Sequence, residues 1–439
     1  MPLDPKRTIA ELEELRARTG DENGAWRVAW TDVWLDARRW YKEKLAALPV
    51  EVHEDAAGNL WATLSGERPE ALLMGGHLDS VPGGGWLDGC LNVLAGLEVL
   101  RRLHEQYRGR PPVTVRLVDW ADEEGARFGR SLLGSSAFSG SLRPELEKDR
   151  RDHDGIRLED ALRRCGVDMD RMLEAQAERQ HAAAYLELHI EQGPVLLDLD
   201  LPLGAVLGTF GVERHAVTFH GQAAHSGSTP MNRRKDAFLA AAKMAPEIYA
   251  ITGRHGGVST IGSCTTLPGI VTSVVETCRI TLDQRHLDAD GLARLLAEAK
   301  AASERFAREG GLPPPEWETI WRIEPIPFHP DLIELCDRAI REVVGTSHRL
   351  PSGPLHDAAE VARAGIPTVM MFTQSLHGIS HNRIEDTKRE HLELAVRAFD
   401  RLADLTIDWI LARTSAAGSA GAQVPASNDF AASSRKSMA

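Results

Sequence analysis

Val113-Thr114-Val115-Arg116-Leu117-Val118 leads through Asp119 into Trp120-Ala121-Asp122-Glu123-Glu124-Gly125. The first six residues are an apolar, β-rich run of strand length. Two adjacent glutamates stand where that strand runs out. Successive side chains on extended backbone point to opposite sides, so one Glu can grip a metal while its neighbour stands free as a proton carrier. A second apolar run, Ala71-Leu72-Leu73-Met74, enters Gly75-Gly76-His77-Leu78-Asp79 in the same manner. Strand-like and helix-like segments alternate to about residue 208, the pattern of an α/β sheet with covering helices.

Other residues of metal-binding type lie in similar settings. Asp79 follows His77 by two residues, placed to take the other ring N–H of a metal-bound imidazole. Asp88 follows the glycine loop Gly83-Gly84-Gly85, which lets backbone approach a cation. His189 lies in Glu187-Leu188-His189-Ile190-Glu191-Gln192-Gly193-Pro194, and His381 in Ser380-His381-Asn382-Arg383. The mix of imidazole nitrogen and carboxylate oxygen suits zinc, and also manganese, cobalt or nickel. His77, Asp88, Glu124, His189 and His381 are too many for one catalytic ion with an open position. Two ions sharing a bridging carboxylate fit better. With 17 His in the chain, most serve packing or the surface, and the five candidates rest on their joint context.

Six stretches together resemble the hydantoinase/carbamoylase branch of the co-catalytic zinc aminoacylase and carboxypeptidase superfamily. They are residues 75–89 (GGHLDSVPGGGWLDG), 122–135 (DEEGARFGRSLLGS), 187–194 (ELHIEQGP), 221–237 (GQAAHSGSTPMNRRKDA), 282–288 (LDQRHLD) and 378–387 (GISHNRIEDT). The branch includes N-carbamoyl-L-amino acid hydrolases, β-ureidopropionases and allantoate amidohydrolases. The resemblance implies that His77 and His189 hold one divalent ion, that Glu124 and His381 hold a second, and that Asp88 bridges them. It implies Glu123 as general base and acid, with Asp79 supporting His77. It also implies that Gln192 touches the ureido group, that Arg285 clamps the substrate carboxylate, and that His356, next to Asp357, lines the site. His225 would reach the active site of a second copy, making the enzyme a homodimer. The substrate is then a small anionic ureido or amide compound. An allantoate amidohydrolase or ureidopropionase, an N-acyl amino acid hydrolase or dipeptidase, and a silent metal-binding homologue are the alternatives.

Two departures bear on specificity. Thr272 stands where the branch carries an Asn beside the carboxylate-binding Arg, and a hydroxyl donates once where an amide donates twice. Asn92 replaces a glycine after Asp88, at a turn where Asn tolerates left-handed backbone.

Composition agrees with an enzyme. The 439 residues suffice for two or three domains, and the net charge of −13 argues against a nucleic-acid surface. No apolar run reaches membrane-spanning length. Five scattered cysteines without a CxxC read as reduced thiols in a cytoplasmic protein. The expected organisation is a dinuclear-metal catalytic domain over residues 1–208 and 327–413, with a central mixed sheet flanked by helices. A two-layer α+β lid or dimerisation domain is inserted over residues 209–326, and residues 414–439 form a disordered tail. Helices are expected over 5–19, 235–252 and 290–309. Trp26, Trp30 and Trp34 should share one helical face, and Gly269-Ile270-Val271 should be a strand.

Overall fold

The computed structural model describes residues 2–420. Its larger sheet has strands β1 (Glu51–Glu54), β2 (Leu60–Leu64), β3 (Ala71–His77), β4 (Thr114–Trp120), β5 (Ala182–Ile190) and β6 (Leu203–Thr209) from the first half of the chain. After β7 (Gly211–His220), β8 (Val258–Leu267), β9 (Thr277–His286) and β10 (Glu316–Ile323), the chain returns to it with β11 (Ile326–Pro327), β12 (His348–Ser352) and β13 (Thr368–Thr373). The order is β11-β6-β13-β5-β3-β4-β2-β1, with β12 also on β6. The centre is parallel, β13 on β5, β5 on β3 and β3 on β4, and the flanks are antiparallel except for β12, which runs parallel to β6. This is the mixed, helix-flanked α/β sheet expected from the sequence.

The parallel centre explains the sequence pattern. Every residue of Ala71–His77 is buried, because both sheet faces are covered and the strand must be apolar throughout. Helix α1 (Pro5–Thr19), helix α2 (Cys90–Gln106) and helix α3 (Arg389–Ala420) pack against this sheet or one another. Leu12, Leu72, Leu97, Leu117, Leu186, Val396 and Phe399 lie in one continuous core.

The smaller sheet has order β8-β9-β7-β10 and is antiparallel throughout. Val217, Phe219, Ile280 and Leu282 face helices Ala237–His255 and Ala289–Glu309, forming a separate core with Met244, Ile248 and Leu295. Residues of opposite parity, including Val212, Arg214, Asp283 and Arg285, stand on the face without helices.

Three local expectations fail. No single helix carries Trp26, Trp30 and Trp34. Trp30 has left-handed backbone (φ 63°), and Thr31 caps a helix that begins at Asp32. The Trp30 and Trp34 rings still meet, with centroids 4.8 Å apart, while Trp26 is exposed. Residues 269–271 form a loop, with Val271 98% exposed, because no partner strand is there to pair with them. The α3 helix continues to Ala420, beyond the expected start of the tail at 414. The Thr414 and Ser415 hydroxyls bond back to carbonyls of the preceding turn. Residues 421–439 lie outside the described residues.

Candidate metal centre

The parallel strands deliver the candidate donors to one end of the sheet. His77 is the last residue of β3, and His189 the penultimate residue of β5. Asp119 fixes the backbone beyond His77, accepting from the Leu78 N–H at 2.8 Å, and is itself held by buried Arg38 at 2.7 Å. Gly89 passes over the His77 ring with φ 66°, and a Cβ there would lie 2.4 Å from the imidazole. The chain therefore needs glycine at that point.

The glutamate pair is split by a turn rather than by strand alternation. β4 ends at Trp120, Asp122 takes left-handed backbone (φ 60°), and Trp30 Nε1 donates to its carboxylate at 2.7 Å. The N–H groups of Glu123 and Glu124 both donate to the Asp79 carboxylate, at 3.3 and 3.2 Å. From that anchored turn the side chains diverge. Glu123 Oε2 lies 3.7 Å from His77 Nε2, and Glu124 Oε2 lies 3.3 Å from His381 Nε2. Asp79 thus does a different job from the one expected. His77 Nδ1 meets the Asp79 carbonyl at 3.1 Å, and the carboxylate stands 3.6 Å off, committed to the glutamate backbone.

Two trios of donor atoms result, His77–Asp88–His189 and Asp88–Glu124–His381, each within 4.8 Å of one another. Asp88 belongs to both. Its Oδ1 lies 3.6 Å from His77 Nε2 and 3.1 Å from His189 Nε2, and its Oδ2 lies 3.6 Å from His381 Nε2. His77 Nε2, His189 Nε2 and Glu124 Oε1 are buried without a hydrogen-bond partner. Orphaned buried polar atoms are costly, and three converging on one carboxylate suit a divalent metal. Non-glycine left-handed backbone recurs here, at Gln192 (φ 60°) and His381 (φ 54°) as at Asp122, as it does at functional sites.

The two histidines of the first trio differ. Burial lowers His77 to about 4, leaving the neutral imidazole a ligand needs, whereas at His189 the Asp88 carboxylate outweighs burial and raises the ring to about 9, so a metal there would have to displace a proton. Burial, then the neighbouring Glu124, Asp357 and Asp79, push Glu123 well above the usual carboxylate range. Burial, Asp88 and Asp79 do the same to Glu124. A dication would relieve this crowding of acids.

Asp88, Glu124 and His381, with Glu123, floor a cavity of about 270 Å³ whose opposite wall belongs to the smaller sheet. Gln192 donates to Asp88 Oδ2 at 2.8 Å, and its Oε1 is without a partner. His356 is buried, 4.3 Å from the His189 ring between centroids, with Nε2 unpartnered. Arg285 lines the far wall, held by Asp283 at 2.9 Å and touching the Gly353 carbonyl at 3.3 Å.

A model of peptidase family M20/M25/M40 matches residues 73–405. The chain belongs to that family. It is 36% identical over 343 residues to the N-carbamoyl-L-amino acid amidohydrolase of Geobacillus stearothermophilus, covering 77% of this chain and 83% of that one. It is 30% identical over 406 residues to the allantoate amidohydrolase of Bacillus subtilis (strain 168), covering 91% and 97%. The crystal structure of a hydantoinase/carbamoylase family amidase from Burkholderia multivorans matches with a TM-score of 0.80 at 31% identity, over 91% of this chain and 97% of that one. The resemblance read from the six motifs therefore holds, and with it a metal-dependent amidohydrolase.

Within this family frame, one expected substrate contact lies elsewhere. Thr272 is exposed and is not among the residues lining the cavity, and His225, expected to serve a second copy, is exposed outside it as well. They stand together on a small ribbon where His225 pairs with Ser273 and the Ser226 N–H donates to the Thr272 carbonyl at 3.0 Å. Thr272 is thus not beside Arg285, because the loop after β8 carries it away from β9. Asn92 is not in a turn either. It sits in helix α2, buried against Gly76. Sequence reading missed Glu385, which receives the N–H groups of Leu87 and Asp88 and the Ser380 hydroxyl, although it lies in the motif of His381. It also missed Arg214, Phe210 and Trp321 in the cavity wall. A charged residue on a strand carries no signal separating a wall from a solvated face. No helix among the described residues is long and apolar enough to cross a membrane.

Proposed function

We propose that this chain hydrolyses the C–N bond of a small N-carbamoyl L-amino acid, giving the amino acid, carbon dioxide and ammonia. The observation that carries the reading is the split glutamate pair. Glu124 joins a donor trio, while Glu123 stays outside both trios on the cavity side of His77. Two divalent ions, zinc first, with manganese, cobalt or nickel as substitutes, would be held by His77, Asp88 and His189 and by Asp88, Glu124 and His381. Such ions lower the pKa of water and polarise a carbonyl. Glu123 takes the proton of the attacking water and returns it to the leaving nitrogen. Gln192, its Nε2 held by Asp88, offers Oε1 to the ureido N–H groups. His356 offers its free Nε2. Arg285 takes the carboxylate with its planar fork.

Residues 1–208 and 327–413 form the catalytic body in this reading, and residues 209–326 the lid that closes Arg285 over the metals. The enzyme works as a homodimer in the cytoplasm, with its five cysteines reduced. His225 Nδ1 accepts the N–H groups of Gly227 and Ser228 at 3.1 and 3.2 Å, so its exposed Nε2 carries the proton. That donor, with Thr272, reaches the cavity of a second copy and stabilises the oxyanion there. An active monomer with full rate would sink this part. Allantoate is the second reading, favoured by the allantoate amidohydrolase relative that aligns with 91% of the chain.

The test is ammonia release by metal-reconstituted enzyme from N-carbamoyl-L-amino acids, N-carbamoyl-β-alanine and allantoate, with amine release from N-formyl and N-acetyl amino acids and dipeptides. Turnover of an N-carbamoyl compound supports the reading. Silence on every ureido compound with turnover of an acyl or peptide substrate overturns it.

A further inference from the structure

We infer that Arg214 is a second specificity-determining arginine, sharing the substrate carboxylate with Arg285. The inference rests on the ureido-acid reading of the same cavity and names the residue that decides which acids enter. Arg214 on β7 stands opposite Asp283 on β9, and Arg285 follows Asp283 by two residues, so all three share the helix-free face. Both arginines line the cavity. Asp283 stands between them, accepting from Arg214 Nε at 2.7 Å and from Arg285 Nε at 2.9 Å. Arg285 spends further donors on Asp283 Oδ2 and the Gly353 carbonyl. Among the described residues Arg214 hydrogen-bonds through Nε alone, so both its terminal nitrogens stay available.

Arg214 is also held from its other side. β10 bulges between Thr319 and Trp321, and the extra residue brings Trp321 opposite Arg214. The guanidinium lies over the indole at 4.8 Å. Bulges re-aim side chains next to active sites, and a stacked guanidinium keeps its edge free for a planar anion. Charge then settles the ligand. Two guanidiniums against one Asp283 carboxylate leave one positive charge on this wall, which matches one substrate carboxylate.

The experiment compares N-carbamoyl-L-leucine with its primary amide, N-carbamoyl-L-leucinamide, on metal-loaded wild type, Arg214→Gln and Arg214→Lys. The readout is the ratio of kcat/KM for the acid over the amide. Loss of a charged hydrogen bond should lower that ratio by about 10- to 100-fold in Arg214→Gln, mostly through KM. Arg214→Lys should restore part of it. An equal fall for acid and amide, or no change in either, would overturn the inference, since a merely structural arginine cannot tell the two apart. Wild type inert towards N-carbamoyl-L-leucine but active on N-acetyl-L-leucine would remove the ureido reading alone, and the same ratio taken on the N-acetyl acid and amide would then decide Arg214. Inertness towards both acids overturns both.

Discussion

Glu123→Gln separates the chemistry of the site from its assembly. The substitution keeps volume and shape and removes only the ionisable oxygen. In the fold the Glu123 carboxylate takes no hydrogen bond among the described residues, and it stands 3.7 Å from His77 Nε2. Its backbone N–H and C=O stay bonded to Asp79 and Leu132 whatever the side chain. Neither donor trio includes it. Metal content should therefore stay at the wild-type level. The rate should not. Loss of general acid–base help lowers kcat by about 10²- to 10⁴-fold, or about 2.7 to 5.4 kcal/mol of barrier. Stability carries a sign of its own. The folded pKa of Glu123 is raised, by burial first and then by Glu124, so the metal-free fold disfavours the charged form. Its destabilisation sets in as pH rises above the ordinary glutamate range. Metal-free Glu123→Gln should melt at or above the wild-type temperature at pH 8. The assays are kcat for the best substrate, metal stoichiometry by elemental analysis, and thermal melting of the chelated protein. Wild-type kcat in this variant would refute the base assignment. A lost metal ion would show instead that Glu123 is a ligand.

Gly89→Ala drives a Cβ to within 2.4 Å of the His77 ring at a left-handed position, so it should cost about 2 to 5 kcal/mol and weaken metal binding, read by melting and metal titration. If His225 serves a second copy, mixing inactive His225→Ala and Glu123→Gln chains should restore roughly a quarter of wild-type activity, since half the dimers are mixed and each has one complete site; no recovery after verified subunit exchange refutes the shared site. His53 Nε2 meets Glu178 at 3.0 Å, and this hydrogen bond holds the His53 pKa up. A raised histidine stabilises the fold below its unfolded pKa and loses that contribution as pH rises through the folded value. His53→Gln should therefore destabilise by a few tenths of a kcal/mol at pH 6, discounted for partial exposure, and by less at pH 8.5; equal melting shifts at both pH values would refute the pairing.

The metal site was legible because its information is local. His77 and Glu123-Glu124 each follow a strand that the sequence announces by a buried apolar run, and β3 and β4 lie side by side in parallel, so both runs end at the same edge. The reading went wrong where a side chain's direction depends on residues far along the chain. Asp79 reads as a histidine partner at two-residue spacing, yet its carboxylate is claimed by backbone more than forty residues away. The tryptophans at four-residue spacing read as a helix, but Trp30 is drawn out of it to reach Asp122. Thr272 reads as the neighbour of Arg285 because β9 follows its loop directly, yet it lies beside an exposed ribbon, where the Ser226 N–H takes its carbonyl. Arg214 gave no signal at all, since its role comes from a bulge on a strand more than a hundred residues later.

The two sheets divide the electrostatic work, and that division constrains what the cavity accepts. The large sheet concentrates Asp79, Asp88, Glu123 and Glu124 in one buried place, where burial raises the carboxyls of Asp79, Glu123 and Glu124 and mutual repulsion raises the two glutamates further. Metal charge is the natural counterweight, and it also draws an amide oxygen inward. The small sheet presents guanidiniums around Asp283, already fixed by a carboxylate and an indole. A prefixed guanidinium loses little freedom on binding, so it discriminates by charge at small entropic loss. A substrate must satisfy both walls at once, with an amide or ureido group at one end and an anion at the other. Neutral amides can meet only the metal wall, and simple carboxylates without an amide can meet only the arginines. With the roles proposed for the two arginines, that requirement would select small N-substituted amino acids before any side-chain contact is made.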